Sequence, residues 1–211
     1  MDFKYKIENN QVTITKYTGT SRDVTIPNEI EDLPVTTIGL SAFCHNRLTS
    51  ISLPQNITYI DVFAFMYNKL TSISLPQNLT TIGNCAFQDN KLTSISLPQN
   101  CTTIGNCAFW NNNLTSISLP QNCTTIGKCA FWNNELTSID LPNKFRTDDQ
   151  IMDIMDIFDF DLEELDNRNK NFIKPYLSKI LEDNYVHHHF HDIIIDYTLP
   201  SNELIREVME V

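Results

Sequence analysis

The sequence predicts a β-rich solenoid: short parallel strands wound right-handedly in 22-residue coils, closed in front by a β-hairpin and behind by an α-helical cap. Three observations predict it. A 22-residue unit recurs four times almost unchanged, from Leu48, Leu70, Leu92 and Leu114; such a unit is too short to bury a core alone and must stack on its neighbours. Apolar and hydroxyl residues alternate at the head of each unit, the pattern of a strand with one face inward. Ahead of the units, Phe3, Tyr5, Ile7 and Val12, Ile14 alternate about Asn9-Asn10 as a hairpin. Residues 1–23 are therefore the front cap, 24–143 the solenoid and 147–211 an acidic helical region.

Within a coil each residue type has a reason. Ile51 and Leu53 face inward between Ser50 and Ser52, and Pro54 ends the strand. Asn56, Asn78, Asn100 and Asn122 follow the prolines, and Asn46, Asn68, Asn90, Asn112 and Asn134 precede the leucines. Asparagine amides bond free backbone groups at turns, so two stacked Asn ladders are expected to satisfy the coil corners. Ile60, Ile82, Ile104 and Ile126 run into Asp61, Gly83, Gly105 and Gly127, which suit a left-handed turn. Phe65, Phe87, Phe109 and Phe131 follow as a core column. A divergent first coil runs from Val24 to Phe43, with Glu31 to Val35 inserted.

The run L-x-x-I-x-L-P, then I-G-x-x-A-F and a turn Asn, resembles the BspA-type leucine-rich repeat over roughly Phe3 to Asn143. The resemblance implies a curved ligand-binding or adhesive solenoid, typically on cell surfaces. It speaks to the fold and leaves the ligand open.

Charge divides the chain. Through Arg146 there are 10 acidic and 10 basic residues; from Thr147 there are 16 acidic and 5 basic, so the net −11 sits in the tail. This excludes unspecific nucleic-acid binding, which needs clustered Lys and Arg, and disfavours anionic membranes. The first residues, MDFKYKIENN, hold no apolar core of a secretory signal, and no apolar run nears the roughly 20 residues of a membrane span. The expected setting is cytoplasmic, without membrane insertion. Cysteine placement agrees: Cys101 and Cys123 take the slot of Ile57 and Leu79, and Cys85, Cys107 and Cys129 that of Phe63, as small buried thiols in a reducing compartment.

No phosphate-binding Gly loop, Gly-x-Ser-x-Gly elbow or His-Glu-x-x-His occurs, so neither an enzyme nor a cofactor is expected. His187, His188, His189 and His191 read as a polar surface run, not metal ligands. Partner-binding candidates lie on the solenoid. Ser50, Ser72, Ser94, Ser116 and Ser138 form one outward column, and Ser52, Ser74, Ser96 and Ser118 another that ends at Asp140. Trp110 and Trp132 follow the Ala-Phe pair in a slot that also takes Gln88, and a slot accepting Gln is expected to be partly exposed, with Tyr67 one residue beyond it. In the tail, Thr147 with Gln150 reads as a capping box before a helix faced by Ile151, Ile154, Met155, Phe158, Leu162 and Leu165. The expected function is a non-enzymatic protein-interaction scaffold with an unidentified protein partner. A surface or secreted adhesin for host proteins or glycans is the alternative, and self-association a third class.

Overall fold

The computed structural model describes residues 2–140 and 142; the expected tail helices and the four tail histidines lie outside them. Strands β1 (Phe3–Glu8) and β2 (Gln11–Tyr17) form the expected antiparallel hairpin. Asn9 and Asn10 turn it at φ 51° and 59°, left-handed values that Asn tolerates better than most side chains. β3 (Asp23–Thr25) opens the first coil, and β4 (Glu29–Ile30) pairs antiparallel with β5 (Leu33–Ile38). The inserted residues thus make a second hairpin, with Glu31 and Asp32 at φ 54° and 59°. The Tyr5 hydroxyl donates to Glu31 Oε1 at 2.6 Å, joining the two hairpins.

β6 (Ser50–Ser52), β7 (Tyr59–Ile60), β8 (Thr81–Ile82), β9 (Thr103–Ile104), β10 (Ser116–Ser118), β11 (Thr125–Ile126) and β12 (Ser138–Asp140) complete the coils. The continuous sheet runs β1-β2-β5-β7-β8-β9-β11, parallel from β2 onward. It lies on the Thr-Ile wall. The Ser wall, whose alternation suggested strands, pairs only β3 with β6 and β10 with β12, and Ser72 to Ser74 and Ser94 to Ser96 join no ladder. Hydroxyl bracing accompanies the pairing: among the described residues of the Ser wall only Thr49 and Thr137, at the heads of β6 and β12, bond one carbonyl of the preceding coil through both N–H and Oγ1, whereas the Thr-Ile wall is braced at every coil. Thr58, Thr80, Thr102 and Thr124 each bond one carbonyl of the preceding coil twice, through N–H at 2.7–2.9 Å and through Oγ1 at 3.0–3.4 Å.

The phenylalanine column is the core. Phe43, Phe65, Phe87, Phe109 and Phe131 are fully buried, their rings 5.2–5.3 Å apart. Tyr17 stacks on Phe43 at 5.5 Å and Phe3 meets it edge-on at 6.1 Å, so the hairpin caps the column with aromatic rings of its own.

Glycine's role differs from the expectation. None of the glycines has positive φ. A Cβ at Gly83, Gly105 or Gly127 would instead lie 2.7, 2.5 or 2.2 Å from backbone atoms of the preceding coil, so these positions are bare because the coils stack too closely for a side chain. The left-handed residues come two places later, at Ser41, Phe63, Cys85, Cys107 and Cys129, with φ 53–58°. In that conformation the N–H groups of Phe63, Cys85 and Cys107 reach the next coil, donating to Asn84 O, Asn106 O and Lys128 O at 2.8–3.0 Å. Gly105→Ala is expected to lower stability by about 1–3 kcal/mol through this overpacking, read by urea denaturation. Gly105→Asn should be no better; a turn needing only left-handed φ would accept Asn more readily than Ala, and that ordering would refute the packing account.

Candidate functional site

Two surfaces hold the candidate residues. On the Ser wall, Ser50, Ser52, Ser72, Ser74, Ser94, Ser96, Ser116, Ser118, Ser138 and Asp140 are all exposed, as expected. A carboxylate closes each column at opposite ends: Ser50 Oγ donates to Asp23 Oδ1 at 2.5 Å, and Ser118 Oγ to Asp140 Oδ2 at 3.2 Å. Tight interfaces rest on Trp, Tyr and Arg anchors, and these columns contain none.

The second surface is the corner after each Ala-Phe pair. His45, Tyr67, Asp89, Asn111 and Asn133 stack there, all at φ 53–60°. The N–H groups of the first four donate to Met66 O, Gln88 O, Trp110 O and Trp132 O at 3.0 Å, so the backbone holds this column in register. Side chains then divide it. His45 and Tyr67 stack at 4.3 Å, while Asp89 Oδ1 accepts from Asn111 Nδ2 and Asn111 Oδ1 from Asn133 Nδ2 at 2.7 Å. Beside them Arg47, Lys69, Lys91, Asn113 and Glu135 are exposed, running from basic to acidic along the coils. Burial, then the charges of Asp89, Cys44 and Cys85, hold the Tyr67 hydroxyl above the ordinary phenol range.

The tryptophan slot needs correction. Gln88 is 3 % exposed and Met66 is buried, so a Gln does not mark a partly exposed slot, whereas Trp110 and Trp132 are half-buried. A Gln fits because its Nε2 donates to Asp89 Oδ2 at 2.9 Å. Its Oε1 is buried without a hydrogen-bond partner, a penalty of about 1–3 kcal/mol. Tyr67 is 38 % exposed and does reach solvent.

The cysteine reading also divides. Cys101 and Cys123 are fully buried in the core slot, and burial, with the Cys123 charge, pushes the Cys101 thiol up to about 12. The slot of Phe63 is not core: Phe63, Cys85 and Cys129 are half-buried, and only Cys107 is buried. Its left-handed backbone sits at the coil's outer corner, which apolar identity alone does not reveal.

His45, Arg47, Lys69 and Lys91 were not singled out by sequence reasoning, although a signal was present. From Leu70 to Glu135 three successive coils differ at five of 22 positions, and three of the five lie in this corner: Gln88/Trp110/Trp132, Asp89/Asn111/Asn133 and Lys91/Asn113/Glu135. The Ser wall is invariant across them.

The family described as BspA type leucine-rich repeat region matches residues 36–150, in six copies. A leucine-rich repeat protein from Bacteroides ovatus is similar in structure, with TM-score 0.61 and 28 % identity, over 68 % of this chain and 41 % of that one. The chain thus spans about two fifths of that protein's length. The T. pallidum leucine-rich repeat protein (TM-score 0.46, 24 % identity, 67 % and 69 % covered) and the pneumococcal vaccine antigen PcpA (TM-score 0.49, 22 %, 67 % and 49 %) are more distant likenesses. No curated protein matches the chain. Among the described residues no helix is long and apolar enough to cross a membrane.

Proposed function

The chain belongs to the BspA-type leucine-rich repeat family, and from that premise we propose that it is a non-enzymatic recognition scaffold binding a protein partner along the corner that follows each Ala-Phe pair. The observation that carries this reading is the concentration of coil-to-coil differences in that corner, against a backbone held in register by one N–H bond per coil. The corner also collects the residue types that dominate interface energetics: Arg47, Tyr67, Trp110 and Trp132. In this reading the protein acts inside a cell.

The test compares two surface variants in affinity capture from the native cell, using the full chain. Arg47→Ala/Tyr67→Ala alters exposed corner residues; Ser72→Lys/Ser94→Lys/Ser116→Lys alters the Ser wall. A partner held by the wild type should bind the corner variant at least about tenfold more weakly, equivalent to about 1.4 kcal/mol, and the serine variant unchanged. The reverse outcome supports the second reading, an adhesin, which the exposed hydroxyl columns favour because repeated hydroxyls suit repeated glycan contacts. Self-association predicts an apparent mass that falls on dilution in light scattering; a constant monomer mass removes it.

A further inference from the structure

Three cysteines stand one above another at the outer corner of successive coils, Cys85 and Cys129 half-buried and Cys107 buried between them. Cys85, Cys107 and Cys129 share φ 54°, 54° and 55°, so their side chains leave the backbone in the same direction, one coil apart. The inter-coil bonds from Cys85 N and Cys107 N, at 2.8 and 2.9 Å, keep that register. Stacked rungs lie about 4.8 Å apart, inside the roughly 4.4–6.8 Å Cα separation that a disulfide spans. Cys85 and Cys107 are nevertheless thiols in the structure.

The thiols also lie close enough along the column to shift one another: Cys107 acts on Cys85, and Cys129 and Cys85 both act on Cys107. Phe63 occupies the same slot one coil earlier, so the thiol run ends at Cys85. The Cys107 hydrogen bond holds the Cys85 thiol below its ordinary range, against burial and the Asp89 charge. For Cys107 the Cys129 thiol works downward, but the neighbouring Cys85 and burial prevail, pushing it up to about 12.

We propose that Cys85 and Cys107 form an oxidation site for hydroperoxides, with Cys85 as the attacking sulfur and Cys107 as the resolving one. The Cys85 thiolate attacks the terminal oxygen of ROOH; an S–O bond forms, the O–O bond breaks, and ROH leaves after taking a proton. Cys107 Sγ then attacks the sulfur of Cys85–S–OH. The S–S bond forms, the S–O bond breaks, and water leaves with the Cys107 proton. Two thiols are oxidised and one hydroperoxide is reduced.

The same chain carries an internal control. Cys101 and Cys123 occupy one slot in successive coils, but both are fully buried in the apolar core, where a thiol is inert. The experiment treats the intact full chain with hydrogen peroxide, alkylates, digests and sequences the cross-linked peptides. The expected product is a Cys85–Cys107 disulfide, forming at least about tenfold faster than any loss of Cys101 or Cys123 thiol. Cys107→Ser should abolish it and leave a sulfenic acid on Cys85 that dimedone traps. A disulfide placed at Cys107–Cys129 or Cys101–Cys123 instead overturns the assignment, as does wild-type Cys85 that stays alkylatable after peroxide. The wild-type mapping decides the matter even if the serine variant fails to fold.

Discussion

Phe87→Ala is expected to destabilise the solenoid by about 3–5 kcal/mol, the range for truncating a fully buried Phe whose site collapses only partly. Phe87 is the middle ring of the column, 5.3 Å from both Phe65 and Phe109, and is fully buried. Truncation removes two ring stackings as well as apolar area. Each coil is held only by its neighbours, so a void at the centre weakens both interfaces of the third coil at once. Urea unfolding should therefore show a lower midpoint and a shallower slope, because the two halves begin to unfold separately. Phe131→Ala, in the last described coil, should lower stability with less loss of slope. A Phe87→Ala change within 1 kcal/mol of wild type would mean that the rings are not what holds the coils together.

The features most legible in the sequence were those set by the repeat itself. A fixed 22-residue period places Phe65, Phe87, Phe109 and Phe131 in one column whatever the coil's detailed path, and an Asn before each leucine recurs at the same corner for the same reason. The alternation about Asn9-Asn10 likewise sets the hairpin register from Tyr5 to Glu8, although a bulge shifts it by one residue at Lys4. Properties that depend on spacing between coils were not legible. Ser-Ile-Ser and Thr-Thr-Ile both alternate, yet the threonine brace to the carbonyl beneath recurs at every coil only on the Thr-Ile wall, and the continuous sheet follows the bracing. Gly105 illustrates a second limit: a missing Cβ serves positive φ and close approach equally well, and nothing local distinguishes them. Cys85 is the converse, a left-handed residue whose type gives no hint of it, because the N–H bond to Asn106 O that holds it comes from the next coil. At the candidate site, the burial of Gln88 depends on the Asp89 carboxylate turning toward its amide, a side-chain choice invisible in the repeat pattern.

The buried asparagine ladder gives the second large effect. Asn90 Oδ1 accepts from Leu70 N at 3.1 Å, and its Nδ2 donates to Phe65 O, Phe87 O and Gln88 O at 2.9, 3.1 and 3.3 Å. The two phenylalanine carbonyls keep a second donor, from Asn68 and Asn112 respectively, so Asn90→Ala leaves Leu70 N–H as the group stranded outright. One stranded buried donor, weakened carbonyl bonds and a small cavity together predict a loss of about 3–4 kcal/mol. Asn78 is the control: its Nδ2 donates to Gln55 O at 3.1 Å on the exposed ladder, where water replaces the bond, and Asn78→Ala should lose less than about 1 kcal/mol. Asn90→Asp sharpens the test, because its carboxylate would face three carbonyl oxygens in a buried site. Burial and those dipoles raise the folded-state pKa of such a group above its unfolded value near 3.9. The folded protein then binds more protons than the unfolded one, so stability falls as pH rises through that interval and is recovered on acidification. Denaturation at pH 4 and pH 7 should show the Asn90→Asp deficit, relative to wild type at each pH, shrinking at the lower value. A pH-independent deficit, or an Asn90→Ala loss no larger than that of Asn78→Ala, would show that the buried amides are spectators to the stacking of the coils.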